Sequence, residues 1–167
     1  MSSSELIEQT IVEHQQVVEK FREQCSGVID EMAAATVACL KDGGKICFFG
    51  NGGSAADSQH FATEFVVRFT RNRGGLPSLA FTTDTSILTA CANDFGYDSV
   101  FARQVEAHCQ PGDIVVGIST SGNSPNVVRG LELAKSMGVK SFAFTGENSG
   151  QCGEVSDLVL AVPSPVT

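Results

Sequence analysis

The strongest constraint on this chain is an alternation of short apolar runs with helical patterns that begins at Lys45. The apolar runs lie at 46–49, 78–82, 114–118, 141–144 and 158–162, and the helical patterns between them at 55–69, 85–92, 98–109 and 125–137. Near-continuous apolar runs are typical of strands that are covered on both faces of a sheet. Strand–helix alternation produces right-handed crossovers and a parallel sheet. The sequence therefore predicts an α/β fold, a three-layer sandwich around a five-stranded parallel sheet.

Residues 1–42 precede this alternation and have a helical pattern. Ser2 and Glu5 have the spacing of a capping box, and Gly43-Gly44 is expected to end the helix. An apolar stripe recurs at spacings of three and four, with His14 in its one gap, and comprises Ile7, Ile11, Val18, Phe21, Cys25, Val28 and Met32. This pattern predicts one long helix, or two helices broken near Gly27. The stripe fits either packing on its own domain or a subunit interface.

The overall composition excludes several classes of protein. A chain of 167 residues with 42% hydrophobic residues suits one domain with a single core. A net charge of −8 argues against nucleic-acid and anionic-membrane binding. It leaves room for a phosphorylated small molecule, because backbone N–H groups can hold a phosphate.

The sequence also predicts a cytoplasmic protein with no membrane span. No apolar run approaches the roughly 18 residues of a membrane helix, and the first residues have no secretory pattern. The six cysteines contain no C-x-x-C pair, and several lie in apolar surroundings. We therefore expect free, buried thiols in a reducing compartment.

Two polar turns are expected at one edge of the sheet. Residues 117–125, G-I-S-T-S-G-N-S-P, follow a strand, with Ser124 as the expected N-cap and Pro125 at the first helical position. Hydroxyls and a helix N-terminus directed at one point suit a phosphate. An ordinary serine-rich turn would explain Ser124 alone. After the first strand, paired glycines at 52–53 allow close approach of a ligand, and Ser54 is expected to cap the next helix.

A third polar group follows on that helix. His60, Glu64 and Arg68 are spaced by four, so they are predicted to share one helix face. A histidine and a carboxylate at this spacing can supply two metal ligands, or a base with a neighbour. In isolation the same pattern is more typical of a solvated polar stripe. Residues 93–97, N-D-F-G-Y, read as a polar loop or a simple turn.

The four segments together resemble one family. G-N-G-G-S at 50–54, H-F-A-T-E-F at 60–65, N-D-F-G-Y at 93–97 and G-I-S-T-S-G-N-S at 117–124 are similar to the sugar-isomerase (SIS) domain proteins of the phosphoheptose isomerase type. The resemblance covers nearly the whole chain. It implies a flavodoxin-like topology, with residues 1–42 as an oligomerisation segment and 43–167 as the SIS domain. It also implies homotetramers formed through the N-terminal helices.

The resemblance further implies roles for individual residues. His60 and Glu64 match the family's metal-ligand pair, with Zn²⁺ as the metal, and Glu64 also matches its catalytic carboxylate. The implied substrate-binding residues are Asn51, Gly52, Gly53, Ser54, Glu64, Arg68, Asn93, Asp94, Ser119, Thr120, Ser121 and Ser124. Family members continue into a last helix, which carries a Gln and a His as further metal ligands and as the acid/base partner. We expect that helix to lie in a tail missing from these 167 residues.

The activity implied is conversion of sedoheptulose 7-phosphate to D-glycero-D-manno-heptose 7-phosphate through an enediol. This is the first step of ADP-heptose and lipopolysaccharide core biosynthesis. Two alternatives stay open. One is a non-catalytic SIS regulator that binds a replication-initiation protein, which would lack the carboxylate at Glu64 and alter the serine loop. The other is a SIS enzyme for another phosphosugar.

Overall fold

A computed structural model of the chain describes residues 1–166. The helices are α1 (Ser3–Lys41), α2 (Gly53–Val66), α3 (Thr85–Phe95), α4 (Val100–His108), α5 (Pro125–Ser136) and α6 (Gly150–Val155). The strands are β1 (Ile46–Gly50), β2 (Ser78–Ala80), β3 (Ile114–Ser119), β4 (Lys140–Thr145) and β5 (Leu158–Ala161), and a 3₁₀ turn, Tyr97–Ser99, precedes α4. The strands are all parallel, in the order β2-β1-β3-β4-β5. This confirms the predicted parallel sheet and flavodoxin-like topology.

An apolar cluster covers each face of the sheet. On one face Phe49 of β1 packs with Phe101 of α4 and with residues of α3, α5 and α6. On the other face Phe48 and Phe142 pack with Met32 of α1 and Ala62 of α2. The central strands β1 and β3 are buried throughout because helices lie on both sides. The predicted three-layer arrangement is therefore confirmed.

Helix α1 is continuous and projects beyond the sheet. Its predicted capping box is present, since the Ser2 Oγ accepts from the Glu5 N–H at 3.2 Å and the Ser2 N–H donates to the Glu5 carboxylate at 2.6 Å. The helix runs through Gly27 without a break. In its second half Cys25, Met32 and Cys39 are buried. In its first half Ile7, Ile11 and Val18 are about half exposed, so the apolar stripe has two different environments.

Several element boundaries differ from the predictions by one to three residues, and one helix was not predicted. Helix α2 ends at Val66 rather than at 69, α3 continues to Phe95 rather than ending at 92, and β2 ends at Ala80 rather than at 82. Helix α6 was missed because it has six residues, two of them glycines, which are poor helix formers. Hydrogen bonds from its backbone to Gly122 and Asn123 stabilise this helix.

An ion pair between the buried Asp113 and the partly exposed Lys45 links two strands at the amino edge of the sheet. Asp113, which is 2% exposed, accepts from the Lys45 ammonium at 2.6 Å and from the backbone N–H groups of Lys45 and Gln110 at 3.0 and 2.9 Å. Burial lowers the pKa of Lys45, but the hydrogen bond and charge of Asp113 outweigh it and raise that pKa overall. The starts of β1 and β3 are thereby fastened together.

All six cysteines are free and buried, as predicted. Burial raises the pKa of the Cys152 thiol to about 11, although the hydroxyl of Ser119 opposes the shift. Between residues 1 and 166, no helix is long and apolar enough to cross a membrane.

Candidate functional site

The two predicted turns lie side by side at the carboxyl edge of the sheet. β1 and β3 are hydrogen-bonded neighbours, and Gly50 at the end of β1 is in register with Ile118 near the end of β3. The strand order reverses direction between these two strands. Parallel α/β sheets bind ligands at such a switch point. The turns at 51–54 and 119–124 are therefore the candidate ligand site.

The turn after β3 holds a cluster of hydroxyl groups. The Ser119 hydroxyl donates to the Ser124 Oγ at 3.0 Å, accepts from the Ser124 N–H at 3.4 Å, and lies 3.5 Å from the Ser121 Oγ. Ser119 is buried, whereas Thr120 and Ser121 are exposed. The cluster lies at the N-terminus of α5, whose dipole favours an anion.

Ser124 is the N-cap residue of α5, and Pro125 occupies the first turn, as predicted. The Ser124 side chain makes no capping bond to an α5 N–H group. Its hydroxyl is bonded to Ser119 instead. The hydroxyl therefore belongs to the loop cluster rather than to the helix cap.

Helix α6 is hydrogen-bonded to this loop. The Cys152 N–H donates to the Gly122 carbonyl at 2.8 Å, and the Gln151 N–H donates to the Asn123 Oδ1 at 3.1 Å. The Asn123 amide in turn donates to the Ser121 carbonyl at 2.8 Å. Gly122 has a φ of +67°, and a Cβ there would lie 2.2 Å from the Ser149 carbonyl oxygen. Only glycine fits between the loop and α6.

The turn after β1 differs from the prediction at Ser54. Gly52, with φ +57° and ψ −119°, is the N-cap residue of α2, and the helix begins at Gly53. Ser54 lies inside the first turn, and its N–H donates to the Asn51 carbonyl at 3.0 Å. The prediction that Ser54 caps α2 is therefore wrong, because Gly52, with its positive φ, takes the N-cap position two residues earlier.

Asn51 is the centre of an amide network that sequence analysis missed. Its Nδ2 donates to the Asn126 Oδ1 at 2.8 Å, and its Oδ1 accepts from the Asn126 Nδ2 at 2.9 Å and from the Tyr97 hydroxyl at 3.2 Å. Asn126, in the first turn of α5, is 2% exposed. Asn51 and Asn126 are 75 residues apart, and no local pattern signals such a pairing.

Asn93 and Asp94 belong to the last turn of α3. The prediction that they lie in a loop is therefore wrong. Gly96, with a φ of +86°, ends the helix and leads into the 3₁₀ turn. The Asn93 amide donates to the Asp94 carboxylate at 2.8 Å, and both side chains are exposed. Of the N-D-F-G-Y segment, only Tyr97 bonds to the turn after β1.

His60 and Glu64 lie together near the C-terminal end of α2. The His60 Nε2 is 3.2 Å from the Glu64 Oε1, and the side chains are 71% and 31% exposed. Glu64 lies about 15 Å from Ser54 along the helix axis, at 1.5 Å per residue. Arg68 does not share their face, because α2 ends at Val66 and Arg68 lies beyond it. That prediction is wrong.

Arg73 caps the end of α2 that carries Glu64. Its guanidinium donates to the carbonyls of Glu64 at 2.7 Å and of Phe65 and Gly74 at 2.8 Å each. The last turn of α2 has no basic residue of its own. Arg73 therefore supplies the positive charge that a helix C-terminus favours. Sequence analysis missed this residue because it lies seven positions beyond the helix.

His60 and Glu64 supply only part of a zinc site. Catalytic zinc usually has three protein ligands and an open position. Residues 1–166 contain no group of three or more His, Cys, Asp or Glu side chains placed to hold a metal. The residues present here therefore do not complete a zinc centre by themselves.

Comparison with known proteins agrees with this architecture. A family model described as "SIS domain" matches residues 11–146, which defines the chain as a SIS-domain protein. The chain is 53% identical over 136 residues to a phosphoheptose isomerase of Aquifex aeolicus, covering 81% of this chain and 71% of the relative. It is 47% identical over 167 residues to one of Paramagnetospirillum magneticum, covering 100% and 87%.

A solved structure extends the similarity to three dimensions. A phosphoheptose isomerase from Neisseria gonorrhoeae has a TM-score of 0.93 and 38% sequence identity, covering 99% of this chain and 89% of that chain. The chain belongs to the phosphoheptose isomerase family of SIS-domain proteins.

Proposed function

We propose that this chain is an aldose–ketose isomerase that converts sedoheptulose 7-phosphate to D-glycero-D-manno-heptose 7-phosphate. The observation that carries the proposal is the hydroxyl cluster of Ser119, Ser121 and Ser124 at the N-terminus of α5, on a chain that also presents Glu64. Relatives named phosphoheptose isomerase match over most of their length. The alternative of a non-catalytic regulator is not favoured, because both the carboxylate and the hydroxyl loop are intact.

The hydroxyl loop would hold the substrate phosphate. Loop hydroxyls and the positive end of α5 bind an anion without a lysine, which suits a chain of net charge −8. Phosphate binding would anchor one end of the sugar, and that remote binding energy would help to orient the reacting end.

Glu64 would act as the base at the other end of the sugar. Its carboxylate would take a proton from C1 of the ketose, giving a 1,2-enediol, and a proton returned to C2 would give the aldose. The phosphate is on C7, so the reacting carbons and the phosphate are at opposite ends of the substrate.

We further propose that His60 and Glu64 bind zinc together with groups from outside residues 1–166. A zinc ion there would polarise the sugar oxygens when bound. The support is the pairing of the two side chains on one exposed helix face.

The remaining proposals concern assembly and cellular role. We propose that the chain forms a homotetramer through α1, because Ile7, Ile11 and Val18 leave an apolar stripe exposed. We also propose a cytoplasmic enzyme whose product supplies heptose for bacterial lipopolysaccharide. The free, buried thiols suit a reducing compartment.

The test is isomerisation of sedoheptulose 7-phosphate by the wild-type chain and by Glu64→Gln. We expect turnover in the wild type and a loss of roughly 10³-fold in kcat for the variant. The glutamine side chain has the shape of glutamate but cannot act as a base. Glu132→Gln, an exposed residue of α5, is the matched control and should retain activity. Chelation should lower activity and added zinc should restore it.

Three results would each contradict one of these proposals. Folded wild-type protein that turns over another phosphosugar but no heptose phosphate, with zinc supplied, would exclude the proposed substrate. Full activity in Glu64→Gln would exclude this carboxylate as the base. Activity unaffected by complete chelation would exclude the metal proposal alone.

A further inference from the structure

The amide of Asn51 has a fixed orientation and very little free hydrogen-bonding capacity. An amide oxygen can accept two hydrogen bonds, and the nitrogen can donate two. The Asn51 Oδ1 already accepts from the Asn126 Nδ2 and from the Tyr97 hydroxyl. Its Nδ2 donates once, to the Asn126 Oδ1, and has no second partner within residues 1–166. One N–H is therefore the only hydrogen-bonding group of the Asn51 side-chain amide that has no partner within residues 1–166.

The surroundings of that N–H favour an anion. Asn51 immediately precedes the N-terminus of α2, and its partner Asn126 lies in the first turn of α5. The N-termini of both helices carry partial positive charge. The Asn51 carbonyl is occupied by the Ser54 N–H, so the backbone at this point cannot turn its oxygen toward a ligand without losing that bond.

We propose that Asn126 and Tyr97 are positioning residues, which hold Asn51 as a donor-only group so that its remaining N–H binds a phosphate oxygen of the substrate. This inference deepens the proposed function and depends on it for the identity of the substrate. The buried Asn126 makes the larger contribution, because its two bonds fix the plane of the Asn51 amide. Tyr97 occupies the second lone pair and thereby prevents Asn51 from presenting an acceptor to the anion.

The experiment measures binding of inorganic phosphate by calorimetry, which needs no isomerase activity. We expect Asn126→Leu to weaken phosphate binding by roughly tenfold to a hundredfold, the effect of losing one hydrogen bond to a charged group. Tyr97→Phe removes one hydroxyl and should weaken binding by a smaller factor, about twofold to threefold. Asp98→Asn, whose carboxylate lies 3.7 Å from Arg129 on the surface, serves as the control and should bind as the wild type does.

A double-mutant cycle separates positioning from general damage to the fold. If Asn126 acts through Asn51, Asn126→Leu should have no further effect on phosphate binding in an Asn51→Ala background. Additive losses, or unchanged binding in Asn126→Leu, would overturn the inference. Asn126→Leu protein that fails to fold would be replaced by Asn126→Ser, with the same criteria.

Enzyme kinetics then distinguish this inference from the proposed function. Since the hydroxyl cluster would still anchor the phosphate, Asn126→Leu should raise KM by a larger factor than it lowers kcat. Wild-type protein that binds phosphate but does not isomerise the heptose phosphate would exclude the proposed reaction. The double-mutant cycle on phosphate binding would still test the roles of Asn126 and Tyr97. A fall in kcat with unchanged KM would overturn the assignment to the phosphate.

Discussion

At the scale of single residues, Gly50 sets how closely the two site turns approach each other. A Cβ at this position would lie 2.7 Å from the Ile118 carbonyl oxygen and 2.8 Å from the Ser54 Cβ. Real Cβ atoms do not come so near to other heavy atoms, and the nearest of these neighbours is backbone. The missing side chain therefore allows the end of β1 to lie against both β3 and α2.

Gly50→Ala should destabilise the protein and weaken phosphate binding at the same time. The added methyl group must displace β3 or α2, at a cost of about 2–3 kcal/mol. Urea denaturation measures the free energy of unfolding, and calorimetry with inorganic phosphate measures the binding. An unchanged unfolding midpoint together with unchanged binding would contradict the close approach.

Gly27→Ala is the control with the opposite expected sign. Gly27 lies within α1, and a Cβ there meets nothing within 4 Å. Alanine should therefore stabilise the helix by roughly 0.5–1 kcal/mol. The same substitution at two glycines thus distinguishes a packing requirement from helix propensity.

Whether a residue of the candidate site could be predicted from the sequence depends on how local its interactions are. The hydroxyls of Ser119, Ser121 and Ser124 could be predicted because they lie within one turn and contact each other. The roles of Asn126 and Tyr97 could not be predicted, because their bonds to Asn51 depend on how three separate elements pack. Sequence periodicity carries no information about such pairs.

At the scale of elements, the C-terminal end of α2 is held by a residue outside it. Arg73 donates to the carbonyls of Glu64 and Phe65, and the Leu76 N–H donates to the Phe65 carbonyl at 3.0 Å. These bonds satisfy helix carbonyls that would otherwise be left without intrahelical partners. The turn that presents the Glu64 carboxylate is therefore fixed by the segment that follows it.

Arg73→Ala should loosen this turn. We expect faster amide hydrogen exchange in residues 64–67, a loss of about 1 kcal/mol in stability, and a lower kcat with little change in KM. Arg73→Lys should restore only part of kcat, since an ammonium lacks the planar fork of a guanidinium. Exposed Arg71→Ala is the control. Unchanged exchange in Arg73→Ala would show that the cap is dispensable.

Helices and strands were likewise predicted where their own sequence determines them and missed where distant contacts do. The positions of β1, β3 and β4 could be predicted because strands covered on both faces must be apolar along their length. The end of α2 was misplaced because the helical pattern continues past Val66 while Arg73 and Leu76 close the helix there. Helix α6 depends on bonds to Gly122 and Asn123, so its own sequence does not predict it.

At the scale of the whole molecule, α1 has two functions along its length. Its second half contributes Met32 and Cys39 to the core, and the Cys25 thiol donates to the Ala161 carbonyl at 3.4 Å. Its first half exposes an apolar stripe that the domain does not cover. A second copy of the chain would bury this stripe, which is why we propose assembly through α1.

Ile11→Glu should reduce the assembled mass without unfolding the domain. Ile11 is 48% exposed, so the domain tolerates a charge there, whereas an apolar interface does not. Light scattering after gel filtration measures the mass. Gln16→Glu adds the same charge on the other side of α1 and should leave the assembly intact. A monomeric wild type would exclude the tetramer proposal.

The ion pair of Lys45 and Asp113 affects which parts of this sequence can change in evolution. The pair fastens the starts of β1 and β3, whereas the turns that we propose as the ligand site lie at the far ends of the same strands. Changes in those turns therefore leave the fastening untouched. One edge of the sheet can acquire new ligand preferences over evolutionary time while the other preserves the scaffold, which is how one fold comes to serve many substrates.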